Sequence, residues 1–258
     1  MQGSGGITRR EALVLAGGAL AAASLADAQT VTAPALDIAD WSYWWYGVER
    51  VTLARGSVCN GMQMYVEHWI PTDVKHPYPV VLVHGGYGQG SDWLSTPDGR
   101  RGWASMFLEQ GYKVYIVDRP GQGRNPYQPF VNGNFDAQAP TFDRAVRTAK
   151  GTAAHTQWPG PCDSNDPAIV QLAASFGQPM APSAVTQGIW RSRGAMLLEE
   201  IGPAMFVTHL DGAGFAWAVA QDKPNLVKGV VAVEPNTQPP TIAGVPVAIV
   251  TGEASSNP

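Results

Sequence analysis

Phe206-Val207-Thr208-His209-Leu210-Asp211-Gly212-Ala213-Gly214-Phe215-Ala216-Trp217 decides how the rest of this chain is arranged. Met205, Phe206 and Val207 read as a buried strand, Gly212, Ala213 and Gly214 as a tight turn of small residues, and a helix follows. Strand, small-residue turn and helix in that order present one residue at the edge of a parallel sheet, where a nucleophile can stand. The residue in that place is Leu210.

Upstream, Pro79 to Val83 is a continuous apolar run, as a strand covered on both faces requires, and it ends in His84-Gly85-Gly86-Tyr87-Gly88-Gln89-Gly90. Trp103 to Gln110 reads as a helix stopped by Gly111, and Lys113 to Val117 as a second buried strand ending in Asp118-Arg119-Pro120-Gly121-Gln122-Gly123-Arg124. A helix between two such strands makes a parallel βαβ unit. Gly121 and Gly123 lack the third glycine of a dinucleotide fingerprint, and Pro126 blocks an immediate helix, so this is a turn and no cofactor is expected. Asp118 is read as an acceptor for turn amides.

Before these strands, Glu49 to Leu53 and Met62 to Ile70 read as strands, the second alternating in a way that suits an antiparallel hairpin at a sheet edge. The aromatic run Asp40-Trp41-Ser42-Tyr43-Trp44-Trp45-Tyr46 is expected to cover one face of the core, the alternative being a substrate or partner surface. Between about 125 and 193 prolines and glycines accumulate and periodicity weakens, so the segment reads as an inserted cap with a few short helices. Its Trp158, Phe176, Met180 and Trp190 either line an apolar pocket or pack onto the main domain. Arg193 to Ile201 then reads as a helix, Lys228 to Val233 as a strand ending at Glu234-Pro235-Asn236, and Pro246 to Val250 as a further strand.

With 258 residues, 45% hydrophobic and 15% charged, the chain can bury one substantial core. A formal charge of −4 without a basic run gives no electrostatic reason for a nucleic-acid partner, and the expected partner is a small molecule. The N-terminus reads as a twin-arginine export signal over residues 1–28: Thr8-Arg9-Arg10 precedes an apolar run from Leu13 to Ala26 that is too short to span a bilayer, and Ala26-Asp27-Ala28 sets cleavage before Gln29. The remainder, 29–258, is expected to lie in the periplasm or outside the cell. There Cys59 and Cys162 either pair or stay as free thiols. The five histidines form no metal-ligand spacing, so no metal is expected.

Four motifs now stand in order: His84-Gly85-Gly86, Asp118-Arg119-Pro120-Gly121-Gln122-Gly123, Thr208-His209 before a turn, and Glu234-Pro235, each after a strand. Together they resemble the α/β-hydrolase superfamily. With Ser91-Asp92-Trp93-Leu94-Ser95-Thr96-Pro97-Asp98-Gly99-Arg100 and Gly102-Trp103, the closer likeness is to exported bacterial carboxylesterases with a Ser, Glu and His triad. The resemblance implies an α/β-hydrolase fold, a mostly parallel, doubly wound sheet with an N-terminal antiparallel hairpin and an inserted cap. It also implies an oxyanion hole from the amides of Gly86 and Asp211, with Glu234 as triad acid, Glu253 being the alternative.

The same resemblance puts a serine where Leu210 stands, and a triad histidine beyond the last strand. An alkyl side chain cannot attack a carbonyl, and no histidine follows His209. The expectation is an ester hydrolase by descent, impaired as given and truncated before the final strand and histidine loop. A non-catalytic binding protein, or a hydrolase using Asp211 as nucleophile, are the alternatives. His209 is read as a packed residue. Without the final elements an apolar sheet edge is open, which favours dimerisation.

Overall fold

The structure, a computed structural model, describes residues 35–132, 140–150, 158, 160–178, 180 and 183–252. The expected signal at 1–28 and Glu253 lie outside the described residues.

Strands β1 (Ile38–Tyr46), β2 (Arg50–Leu53), β3 (Gly56–Cys59), β4 (Met64–Pro71), β5 (Val80–Val83), β6 (Val114–Asp118), β7 (Ala204–His209), β8 (Val227–Val233) and β9 (Val247–Val250) are separated by helices from β5 to β8, while a loop without a helix joins β8 to β9. Seven of them form one sheet in the order β1-β4-β6-β5-β7-β8-β9. β6, β5, β7, β8 and β9 are mutually parallel, while β1 and β4 run antiparallel at one side.

The period-2 alternation of a strand explains why Val80-Val81-Leu82-Val83 is apolar throughout. Val80 and Leu82 point to the face covered by Ala104 and Leu108 of helix α1 (Trp103–Glu109). Val81 and Val83 point to the opposite face, packed by helix α5 (Ala184–Ile201) through Trp190, Leu197 and Leu198 and by helix α6 (Gly212–Asp222) through Phe215 and Val219. The sheet is therefore doubly wound.

Three local expectations are corrected. The antiparallel partner of β4 is the aromatic run itself, Trp41 lying opposite Trp69 and Trp45 opposite Tyr65, while Arg50–Leu53 pairs with Gly56–Cys59 in a separate hairpin. β4 is thus second from the edge, and Met64, Tyr65, Val66 and Glu67 are all buried instead of alternating. Second, the aromatic run forms the edge and is largely open to solvent: Trp41 is 60% and Trp44 67% exposed. Trp41 is nevertheless held, because its Nε1 and that of Trp69 both donate to Glu67 Oε1, at 2.7 and 2.8 Å. Third, the helix expected from Arg193 begins at Ala184, where Ser183 caps it by accepting the Thr186 amide, and Trp190 belongs to the main core.

The remaining expected cap residues include α2 (Pro129–Asn132) and two longer helices, α3 (Phe142–Lys150) and α4 (Pro167–Ser175). Cys59 is exposed and Cys162 half-buried, and both are free thiols. At the far edge, Val247, Ile249 and Val250 of β9 are exposed.

Candidate active site

Parallel pairing brings the ends of β5 and β7 side by side, Val83 lying opposite Thr208, so the loop after one emerges beside the turn after the other. The approach is close. A Cβ on Gly212 would stand 2.6 Å from the Val83 carbonyl oxygen and 2.7 Å from that of His84. Only glycine lets α6 start against β5.

At the tip of the turn Leu210 has φ +45°, a left-handed conformation that side chains other than glycine adopt at a cost of about 1–3 kcal/mol. The surroundings impose it: the Leu210 amide donates to the Val233 carbonyl at 3.0 Å, and the Leu210 carbonyl accepts from Ala213 at 3.1 Å. Asp211 follows, and its Oδ2 packs against Gly86 where a Cβ would stand, while Oδ1 accepts from Asn236 Nδ2. Gly86, Leu210 and Asp211, joined by sequence reasoning alone, are thus together. Among the described residues, the amides of Gly86 and Asp211 donate to no protein group.

Glu234 stands just past β8 with φ +50° and accepts the Gly252 amide through Oε1. It neighbours His209, since Val233 lies opposite His209 in the sheet. Burial lowers the His209 pKa, opposed by the charges of Glu234 and Asp211, which leaves its imidazole neutral at pH 7.

The loop after β5 is fixed from behind by the Asp118 motif. Asp118, fully buried, accepts the amides of Gly90 and Arg124 and the Arg124 Nε, the last at 2.6 Å. Arg124 also pairs with Glu67. Asp118 is therefore the turn acceptor its sequence suggested. Arg119, 1% exposed, donates from Nη2 to the Gly85 carbonyl at 2.7 Å and from its amide to His84 Nε2 at 3.1 Å, and its guanidinium stacks 4.8 Å from the Trp190 ring. Burial brings Arg119 down to about 10, against the charges of Asp211 and Asp92. Burial, with Arg119 adding to it, holds His84 well below its ordinary pKa; its Nδ1 donates to the Gly85 carbonyl.

Above Leu210 opens a cavity of about 640 Å³ whose floor includes Gly86, His209 and Leu210. Its roof comes from α3 and α4 through Arg144, Leu172, Ser175 and the following Phe176. The roof is tied down: Gly177 donates to the Tyr87 carbonyl at 2.7 Å, Gln89 Nε2 to the Ser175 carbonyl at 3.0 Å, and Arg144 lies 4.4 Å over the Tyr87 ring. Of the aromatic and methionine residues weighed as pocket lining, Phe176 lines it. Trp190 is in the core, Met180 packs on Gly121, and Trp158 donates to Asp166. Sequence reasoning singled out neither Tyr87, Asp92 nor Arg144 for the cavity. Tyr87 and Asp92 lay inside motifs already quoted, whereas Arg144 carried no signal.

The match with solved structures is decisive for the architecture: a protein described as a novel bacterial esterase superposes with a TM-score of 0.72, 23% identity, and coverage of 86% of this chain and 77% of its own. The fold is that of the α/β-hydrolases. Within it, residues 60–125 match the X-Pro dipeptidyl-peptidase (S15) family, a span that includes β5, α1, β6 and the Asp118 turn. A curated fungal relative, "Probable secreted lipase phiG", is 34% identical over 189 residues, covering 71% of this chain. The chain spans about half, 52%, of that relative's length. Among the described residues, no helix is long and apolar enough to cross a membrane.

Proposed function

We propose that this chain is the scaffold of a carboxylic-ester hydrolase, exported through its twin-arginine segment, in which the covalent route is closed at Leu210. One observation carries the reading: Leu210 holds the strained elbow backbone at φ +45°, on the floor of a 640 Å³ cavity and beside the amides of Gly86 and Asp211. In that setting an ester carbonyl oxygen receives two N–H donors, which stabilise the charge of a tetrahedral intermediate. Glu234, past β8, takes the place of the acid that orients a catalytic imidazole. Leucine supplies no nucleophile, and loss of that group alone costs about a millionfold in turnover. The name of the 34% identical relative, a probable secreted lipase, supports both ester chemistry and export.

Asp211 is disfavoured as a substitute nucleophile, since its carboxylate is turned against Gly86 and engaged by Asn236. The ligand is a small ester or carboxylate, and α3 and α4 act as a cap over it. Isothermal calorimetry with butyrate tests the reading: saturable binding that Gly86→Val removes is the expected outcome, and no saturable binding to the parent chain would refute it.

A further inference from the structure

The cavity wall carries a carboxyl that the reading above leaves without a task. Asp92 is the carboxyl among the described residues that lines the 640 Å³ cavity. It also lines a second chamber of about 230 Å³, walled by Trp93, Trp103 and Val233. His209 is the other residue common to both.

Asp92 is held in place. It sits in the 3-10 turn Gly90–Trp93, whose first amide is bound by Asp118, and its own amide donates to the Gln89 carbonyl at 3.0 Å. Its Oδ2 packs against Gly88, two residues beyond Gly86 in the same loop.

We propose that Asp92 is a general base that activates water for direct attack on an ester held in this cavity, a hydrolytic route that does not pass through residue 210. The proposal rests on the reading that the carbonyl oxygen lodges at the amides of Gly86 and Asp211. The Asp92 carboxylate takes one proton from water as the water oxygen bonds to the carbonyl carbon, and the carbonyl π pair moves onto its oxygen. That pair then re-forms the carbonyl as the bond to the alkoxy oxygen breaks. The proton on Asp92 passes to the departing alkoxide, so an acid and an alcohol leave and the carboxylate is restored.

The surroundings suit a base. Asp118 and Arg119 face Asp92 from the end of β6, His84 from the end of β5 and His209 from the end of β7, with Arg144 on the cavity roof. Burial pushes the carboxyl up to about 7, with Asp118 adding to the rise and the Gln89 hydrogen bond and Arg119 opposing it. Asp92 is itself exposed to the two open spaces it borders, so water reaches a carboxyl that the surrounding walls desolvate. A base near the working pH is the most effective one. His209, with its pKa lowered, is the weaker alternative, and Asp211 is engaged by Asn236.

The test is steady-state hydrolysis of 4-nitrophenyl butyrate by the parent chain, Asp92→Asn, Asp211→Asn and a surface control, Asp73→Asn, with butyrate affinity measured alongside. The expected result is a slow, saturable turnover that rises with pH around a midpoint near 7. Asp92→Asn should lower it about 100-fold or more while butyrate binding stays saturable and the circular dichroism spectrum is unchanged. Equal rates in the parent and Asp92→Asn, or loss in Asp211→Asn with Asp92→Asn active, would overturn the assignment. Saturable butyrate binding with no Asp92-dependent turnover sinks this inference alone, whereas absence of binding sinks the ester-scaffold reading as well.

Discussion

Two glycines two residues apart should respond to alanine with opposite signs. At Gly212 the added methyl would meet the backbone carbonyls of Val83 and His84 at 2.6 and 2.7 Å, against about 3.4 Å for ordinary contact. Neither oxygen is the end of a flexible side chain, so the start of α6 has to retreat by about 0.8 Å. Overpacking of this kind costs about 1–3 kcal/mol, and backbone obstruction puts Gly212→Ala toward the upper end, about 2–3 kcal/mol. For a domain of this size each kcal/mol moves Tm by about 2–4 °C, which predicts a fall of about 4–12 °C. At Gly214 the methyl would lie 3.7 Å from the Trp190 ring, an ordinary contact inside α6. There alanine gains about 0.5–1 kcal/mol of helix propensity and should raise Tm by a few degrees. Thermal unfolding followed by circular dichroism decides the matter. If Gly212→Ala melts at or above the parent, or both variants shift in the same direction, the argument that α6 is seated directly on β5 is wrong.

Two further outcomes follow from the groups behind the loop. Asp118→Asn leaves Arg124 short of a buried partner and should destabilise the chain by about 3–5 kcal/mol, whereas Glu199→Gln, which breaks a solvent-screened surface pair with Lys223, should leave stability nearly unchanged; urea midpoints compare them. His84 has a folded-state pKa well below its ordinary 6.5, so below that pH the unfolded chain binds a proton the folded chain refuses. Its contribution is present above about 6.5 and is lost as the pH falls, and the parent should therefore lose more stability between pH 7.5 and 5.5 than His84→Gln does, measured by the same midpoints.

What the sequence discloses depends on how local the cause is. β5, β6 and β7 are legible because strands covered on both faces need unbroken apolar runs, and the glycines after them mark where backbones converge; β8 is legible from its Val230-Val231-Ala232-Val233 run, although Lys228 and Val231 are exposed and it is not covered on both faces. The triplet Leu210-Asp211-Gly212 is legible for the same reason, since close packing on β5 leaves no choice but glycine at 212. β1 is not, because aromatic side chains at nearly every position look like core when no partner strand is in view. β3 hides behind Gly56 and Ser57, and the first half of α5 behind Val185, Thr186 and Gly188, which are poor helix formers redeemed by the Ser183 cap and by Trp190 in the core. Asp92 escapes notice for a different reason. Its setting is made by Asp118, Arg119 and His209, which lie far away in sequence, and nothing within its own stretch announces them.

The pairing of Trp41 and Trp69 on one oxygen of Glu67 reaches beyond the sheet edge. The other oxygen of Glu67 belongs to Arg124, which grips Asp118, which in turn holds the Gly90 amide of the loop beside the cavity. A solvent-facing indole of fixed orientation is thereby wired to the loop through four polar contacts. A displacement of that loop is therefore passed, contact by contact, to the acceptor that fixes an exposed indole on the edge strand of the sheet.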